Sequence, residues 1–111
     1  PDPRIYTDCD RRNSEIYGAT KAGIIQMTKY FSVNAILDGA DIRINAIAPG
    51  GIYNPANPQG KDFIKKYSEK CPMGRLGETH EIIGPALFLI SSESSYINGH
   101  TLVVDGGMTA W

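Results

Sequence analysis

The sequence predicts an α/β fold in which helices cover a parallel sheet. Three observations carry this expectation: a long apolar helical run over residues 15–37, strand-like runs at 42–48 and 101–104, and a further apolar helix between those two runs. Strands that alternate with covering helices imply parallel pairing and right-handed crossovers. Two strands do not form a stable parallel sheet alone, so the fold is expected to need more sheet than these 111 residues hold.

Taken in order, residues 1–13 offer breakers and polar residues without periodicity and are expected to form a loop. Asn13 or Ser14 is placed to cap a helix running from Glu15 to Leu37. Between Ile16 and Leu37 only Lys21 and Lys29 are charged, and Ile24, Ile25, Met27, Tyr30, Phe31, Val33 and Ile36 spread beyond one stripe. A helix that is apolar on more than one face must be covered on more than one face. One side would pack on the sheet and the other on a second subunit, so a homo-oligomer (dimer or tetramer) is expected.

Gly39 is the expected left-handed cap of this helix, and Ile42–Ala48 reads as a strand running into Pro49-Gly50-Gly51. Residues 53–60 carry loop signals throughout. Lys61 to Lys70 predicts a short amphipathic helix, with Phe63, Ile64 and Tyr67 on one side. A second core helix is expected from Thr79 or His80 to Ser91, with Pro85 inside it for no reason visible in the sequence. Thr101–Val104 predicts a short buried strand ended by Asp105-Gly106-Gly107, which reads as a structural turn and not as a metal site.

Composition narrows the function classes. Hydrophobic residues make up 41% and charged residues 21%, a globular balance. The net charge of −1 gives no electrostatic footprint for nucleic acid or an anionic membrane, and no apolar run reaches membrane-spanning length. Cys9 and Cys71 lack metal-ligand spacing, so free thiols in a cytoplasmic setting are expected. The first residue is not methionine, and the opening Pro-rich stretch reads as the interior of a longer protein.

The chemistry centres on Tyr17 and Lys21. Residues four apart share a helix face, with Cβ atoms about 5–6 Å apart. An ammonium beside a phenol favours the phenolate, which eases proton exchange near neutral pH. The spacing by itself is common and equally describes an ordinary helix with a surface lysine. In open parallel sheets, ligands bind beyond the carboxyl ends of the strands. Pro49-Gly50-Gly51 sits at such an end, where residues without Cβ would let a ligand approach the backbone. If the first helix follows an upstream parallel strand, Tyr17 lies on the same rim.

Taken jointly, Tyr17-Gly18-Ala19-Thr20-Lys21-Ala22-Gly23 resembles the catalytic segment of the short-chain dehydrogenase/reductase family. Arg43 to Ile52 resembles that family's strand leading into its nicotinamide-side loop. Met73–Glu78, Ala86–Leu89 and Asn98–Gly107 resemble its C-terminal third, in the family's order and spacing. The resemblance covers residues 14–108. It implies the C-terminal portion of a single Rossmann-like, doubly wound parallel-sheet domain, whose dinucleotide-binding half lies upstream.

By that resemblance, Tyr17 would be the general acid/base at a carbonyl or alcohol oxygen. Lys21 would lower the Tyr17 pKa and hydrogen-bond the nicotinamide ribose. Pro49, Gly50 and Ile52 would face the nicotinamide of NAD or NADP, Ile52 through main-chain contacts to its carboxamide. Asn54 stands where the family usually has a threonine touching the cofactor. Residues 53–70 would cover a small alcohol or carbonyl substrate as a mobile lid. The family's glycine-rich dinucleotide motif has no match here, and neither its catalytic serine nor its active-site asparagine is carried over. Ser14 is too near Tyr17 for the first role, and Asn45 lies in a later strand than the second requires. The 111 residues alone are therefore expected to be inactive. The competing reading is a non-catalytic chain of the same descent that serves assembly. His80 and His100 are expected in surface or capping roles, and Arg75 in a structural ion pair.

Overall fold

A computed structural model describes residues 14–111, with side chains from Ile16 onward. The loop expected over residues 1–13, Asn13 and the side chain of Ser14, and with them the expected cap, lie outside what is described. The elements run α1 (Ser14–Leu37), β1 (Ala46–Pro49), α2 (Lys61–Lys70), α3 (His80–Ile90), a 3-10 turn (Ser92–Ser94) and β2 (Thr101–Val104). This is the expected order of helix, strand, helix, helix and strand. The chain divides into two compact units.

The first unit takes in the described residues through Ala46 together with Asn98–His100. Its helix ends as the sequence predicts. Gly39 has φ 84°, the Gly39 N–H bonds the Ile36 carbonyl, and the Ala40 N–H reaches back to the Ala35 carbonyl. Those two bonds satisfy carbonyls that the last turn would otherwise orphan. Along α1 the buried residues are the small polar Thr28 and Ser32, whose hydroxyls bond carbonyls of the preceding turn. The large apolar side chains are exposed, Tyr30 at 60% and Leu37 at 76% among them.

The strand expected from Ile42 begins only at Ala46. Side chains hold the stretch before it. The Asn98 amide accepts from the Ile44 N–H at 2.9 Å and donates to the Ser32 carbonyl at 3.0 Å. The Asn45 amide accepts from the His100 N–H at 2.9 Å. One asparagine thus ties α1 to the approach of the strand, satisfying backbone groups that a regular ladder would otherwise use.

The second unit comprises Ile47–Ile97 and Thr101–Trp111. Here β1 pairs with β2 in a two-stranded sheet. At its ends Ala46 donates to His100 and Gly50 to Val104, so both strands advance together and the pairing is parallel. Helix α3 packs against β2 and buries Leu89. It passes through Pro85 without a break, and nothing in the surrounding contacts explains the proline. Cys71, Leu76 and Met108 complete the buried apolar set. No described helix is long and apolar enough to cross a membrane.

Candidate active site

Tyr17 and Lys21 lie one turn apart on α1, as their spacing requires. The Lys21 Nζ stands over the Tyr17 ring, 5.4 Å from its centroid, within reach of the ring's negative face. Tyr17 is 52% exposed. The helix therefore presents a phenol with an ammonium against its ring.

Pro49, Gly50, Ile52 and Asn54 are gathered at the carboxyl end of β1, in the second unit. The glycines there admit a close neighbour from within the chain. A Cβ on Gly50 would stand 2.6 Å from the Tyr67 hydroxyl and 2.9 Å from the Asp105 Cα, and one on Gly51 would stand 2.7 Å from the Tyr67 ring. These contacts leave no room for a side chain. Tyr67 of α2 approaches the backbone at this face. Its hydroxyl accepts the Gly51 N–H at 2.6 Å. Burial raises the Tyr67 pKa, and the Gly51 N–H partly offsets that rise.

Beyond Gly51 the chain makes a single parallel bridge between Ile52 and Gly77. The Gly77 N–H bonds the Gly51 carbonyl at 2.9 Å, and the Tyr53 N–H bonds the Gly77 carbonyl at 2.8 Å. The opposite edge of this segment presents the Ile52 carbonyl and the Asn54 N–H, because successive residues point their polar groups to alternate sides. Gln59 takes that edge. Its Nε2 donates to the Ile52 carbonyl at 2.7 Å, and its Oε1 lies 3.5 Å from the Asn54 N–H. The Asn54 Oδ1 accepts the Ala56 N–H at 3.0 Å, a local turn. The nicotinamide carboxamide that the family resemblance puts on Ile52 is a primary amide. The Ile52 carbonyl already accepts a primary amide from Gln59, so its position and chemistry fit such a group.

Charged side chains hold the walls in place. Arg75 bonds Glu81 through both terminal guanidinium nitrogens at 2.8 and 2.7 Å, the structural pair expected of it. The Glu81 Oε2 also accepts the Glu78 N–H at 2.8 Å. Hydrogen bonding from Arg75, then from the Glu78 backbone, lowers the Glu81 carboxyl to about 2. Burial works to raise the Asp105 pKa, but bonds from the Thr109 hydroxyl and from the N–H groups of Thr109 and Gly107 hold it lowered. That carboxylate is committed to a structural turn. A cavity of about 370 Å³ opens among Ile52, Arg75, Glu81, Val104, Asp105 and Gly107. This volume is within the range of small-molecule sites, about 300–1,000 Å³.

The sequence does not single out Gln59, and leaves Tyr67 even between lining a substrate pocket and filling the lid. Gln59 read as one polar residue in a loop rich in breakers, and Tyr67 as one member of an apolar helix stripe. No spacing rule connects either to the glycines. Of the other residues weighed, His80 is exposed beside Glu78, with Nδ1 3.5 Å from its carboxylate. Cys71 is a buried free thiol.

Comparison with known proteins adds the lineage. The family described as enoyl-(acyl carrier protein) reductase matches residues 8–109. The chain is 40% identical over 99 residues to 7alpha-hydroxysteroid dehydrogenase of Bacteroides fragilis, a match covering 87% of this chain and 38% of that protein. It is 45% identical over 95 residues to L-rhamnose-1-dehydrogenase of Scheffersomyces stipitis, covering 83% and 36% respectively. Among solved structures, a short-chain dehydrogenase from Leptospira borgpetersenii with bound NAD+ superposes with a TM-score of 0.77 at 42% identity, covering 93% of this chain and 40% of that one. A gluconate 5-dehydrogenase from Burkholderia cenocepacia in complex with NADP and tartrate superposes with a TM-score of 0.75 at 34% identity, covering 86% and 38%. The chain thus spans less than half the length of each of these relatives. With the matching segments in order across most of its residues, the chain belongs to the short-chain dehydrogenase/reductase family.

Proposed function

We propose that this chain is the C-terminal portion of an NAD(P)-dependent oxidoreductase that interconverts a small-molecule alcohol and its carbonyl compound. The observation that carries the reading is the Lys21 ammonium 5.4 Å from the Tyr17 ring on an exposed helix face, in a chain of this family. Tyr17 is the general acid/base: its hydroxyl gives a proton to the carbonyl oxygen in reduction, or takes one from the alcohol in oxidation. Lys21 places a positive charge where the phenol oxygen becomes negative, which stabilises that state. The Pro49–Ile52 backbone and Asn54 would hold the nicotinamide end of the dinucleotide. When bound, the nicotinamide supplies the hydride acceptor or donor. Relatives solved with NAD+ and with NADP support either form of the cofactor. Residues 53–70, with α2 among them, would cover the substrate.

The many exposed apolar side chains of α1 support assembly of the complete protein as a homo-oligomer, a dimer or tetramer. Sedimentation as a monomer at micromolar concentration would count against that. The buried free thiol of Cys71 agrees with a reducing, cytoplasmic setting.

The functional test is the appearance of reduced nicotinamide when the complete protein meets a panel of secondary alcohols with NAD+ or NADP+. Turnover with at least one sugar-derived, hydroxyacyl or steroid-like alcohol is expected. Dinucleotide binding without turnover across the panel, in either direction, would favour an assembly role instead.

A further inference from the structure

The edge of the 51–54 segment that does not face Gly77 carries the Ile52 carbonyl and the Asn54 N–H, and the Gln59 side chain spans both. A carboxamide that is to bond the Ile52 carbonyl must come in along this edge, because the other is closed by the Gly77 bridge. The group already there is itself a primary carboxamide, with its N–H on the Ile52 oxygen at 2.7 Å and its own oxygen turned toward the next N–H.

We propose that Gln59 is an internal competitor for the nicotinamide subsite, an amide of the chain's own that the nicotinamide carboxamide must displace. This rests on the reading above, in which the Ile52 main chain receives that carboxamide. A carbonyl has two lone pairs, but Gln59 reaches from the Ile52 carbonyl to within 3.5 Å of the Asn54 N–H, so its amide lies along the approach as well as on the acceptor. Its release sets the dinucleotide's apparent affinity below what the backbone alone would give, by the fraction of time the edge is open. Gln59 thereby tunes the nicotinamide end of the cofactor and leaves the adenine end untouched.

The test compares wild type, Gln59→Ala and Gln59→Met in the complete protein, by calorimetric titration with three probes. The probes are the dinucleotide the wild type prefers, its 3-acetylpyridine analogue, which lacks the amide N–H, and the matching ADP-ribose, which lacks the ring. Met keeps the chain length without the amide, and serves if Ala loosens the loop. Both variants are expected to bind the parent dinucleotide about 2- to 10-fold more tightly, the worth of one net hydrogen bond, with ADP-ribose unchanged. Unchanged or weaker dinucleotide binding, or an equal gain for ADP-ribose, overturns the proposal. If wild type fails to prefer nicotinamide over acetylpyridine, or binds no dinucleotide, the underlying reading of Ile52 fails and the competitor role falls with it.

Discussion

Helix α1 sets Tyr17 and Lys21 side by side by backbone periodicity, whereas the loop after β1 is held by side chains and backbone from as near as Gln59 and as far as Asp105. The difference teaches where each kind of substitution should act. A residue carried by a regular helix can be changed without moving its neighbours, so its replacement reads out chemistry. The loop is a joint construction of Tyr67, Gln59 and Gly77, so replacements there disturb stability and binding together.

The largest effect is expected at Tyr17. Tyr17→Phe in the complete protein should lower kcat by about 10²- to 10⁴-fold, the usual worth of a positioned acid/base, with dinucleotide affinity and melting temperature almost unchanged. A loss of only a few-fold would remove Tyr17 from the chemistry. Lys21→Met should lower kcat less than Tyr17→Phe, and should also weaken dinucleotide binding, since Lys21 is assigned to both tasks. Steady-state kinetics beside a binding titration would separate the two.

The loop answers differently. Gly51→Ala drives a Cβ to 2.7 Å from the Tyr67 ring and should cost about 1–3 kcal/mol in denaturant unfolding. Tyr67→Ala should relieve part of that, so the double variant is expected to lose less than the sum of the singles. Strict additivity would mean that the ring does not lean on the glycines.

The smallest effect is electrostatic. Glu81 is held at about 2 against an ordinary 4.5, so its ionised form is favoured by folding. That contribution is present above about 4.5 and fades as pH falls toward 2. Arg75→Gln should return the Glu81 titration toward its ordinary range, as followed by NMR of the carboxyl carbon. The change in stability should be slight, because the pair is largely exposed.

Where pattern repeats, the sequence was readable. The end of α1 at Gly39, the bounds of α2 and the span of β2 all follow from residues within a turn or two of one another. The pairing of Tyr17 with Lys21 follows from helix geometry in the same way. The start of β1 was misjudged because the Ile44 N–H is met by the Asn98 amide and the His100 N–H by the Asn45 amide, and alternation in the sequence carries no sign of that. Gly50 and Gly51 showed a need for space but not what fills it; the occupant, Tyr67, comes from another element. Gln59 was invisible for the same reason, since a side-chain amide that caps a backbone edge leaves no periodic mark.

The central claim is proton exchange at Tyr17 coupled to hydride transfer. It is tested most directly by supplying the complete protein with a carbonyl substrate and dinucleotide reduced with deuterium at the nicotinamide C4. The account predicts one deuterium on the former carbonyl carbon by mass spectrometry, at a rate that Tyr17→Phe lowers by at least about 10²-fold. Deuterium lost to solvent, or a transfer rate indifferent to Tyr17→Phe, would contradict it.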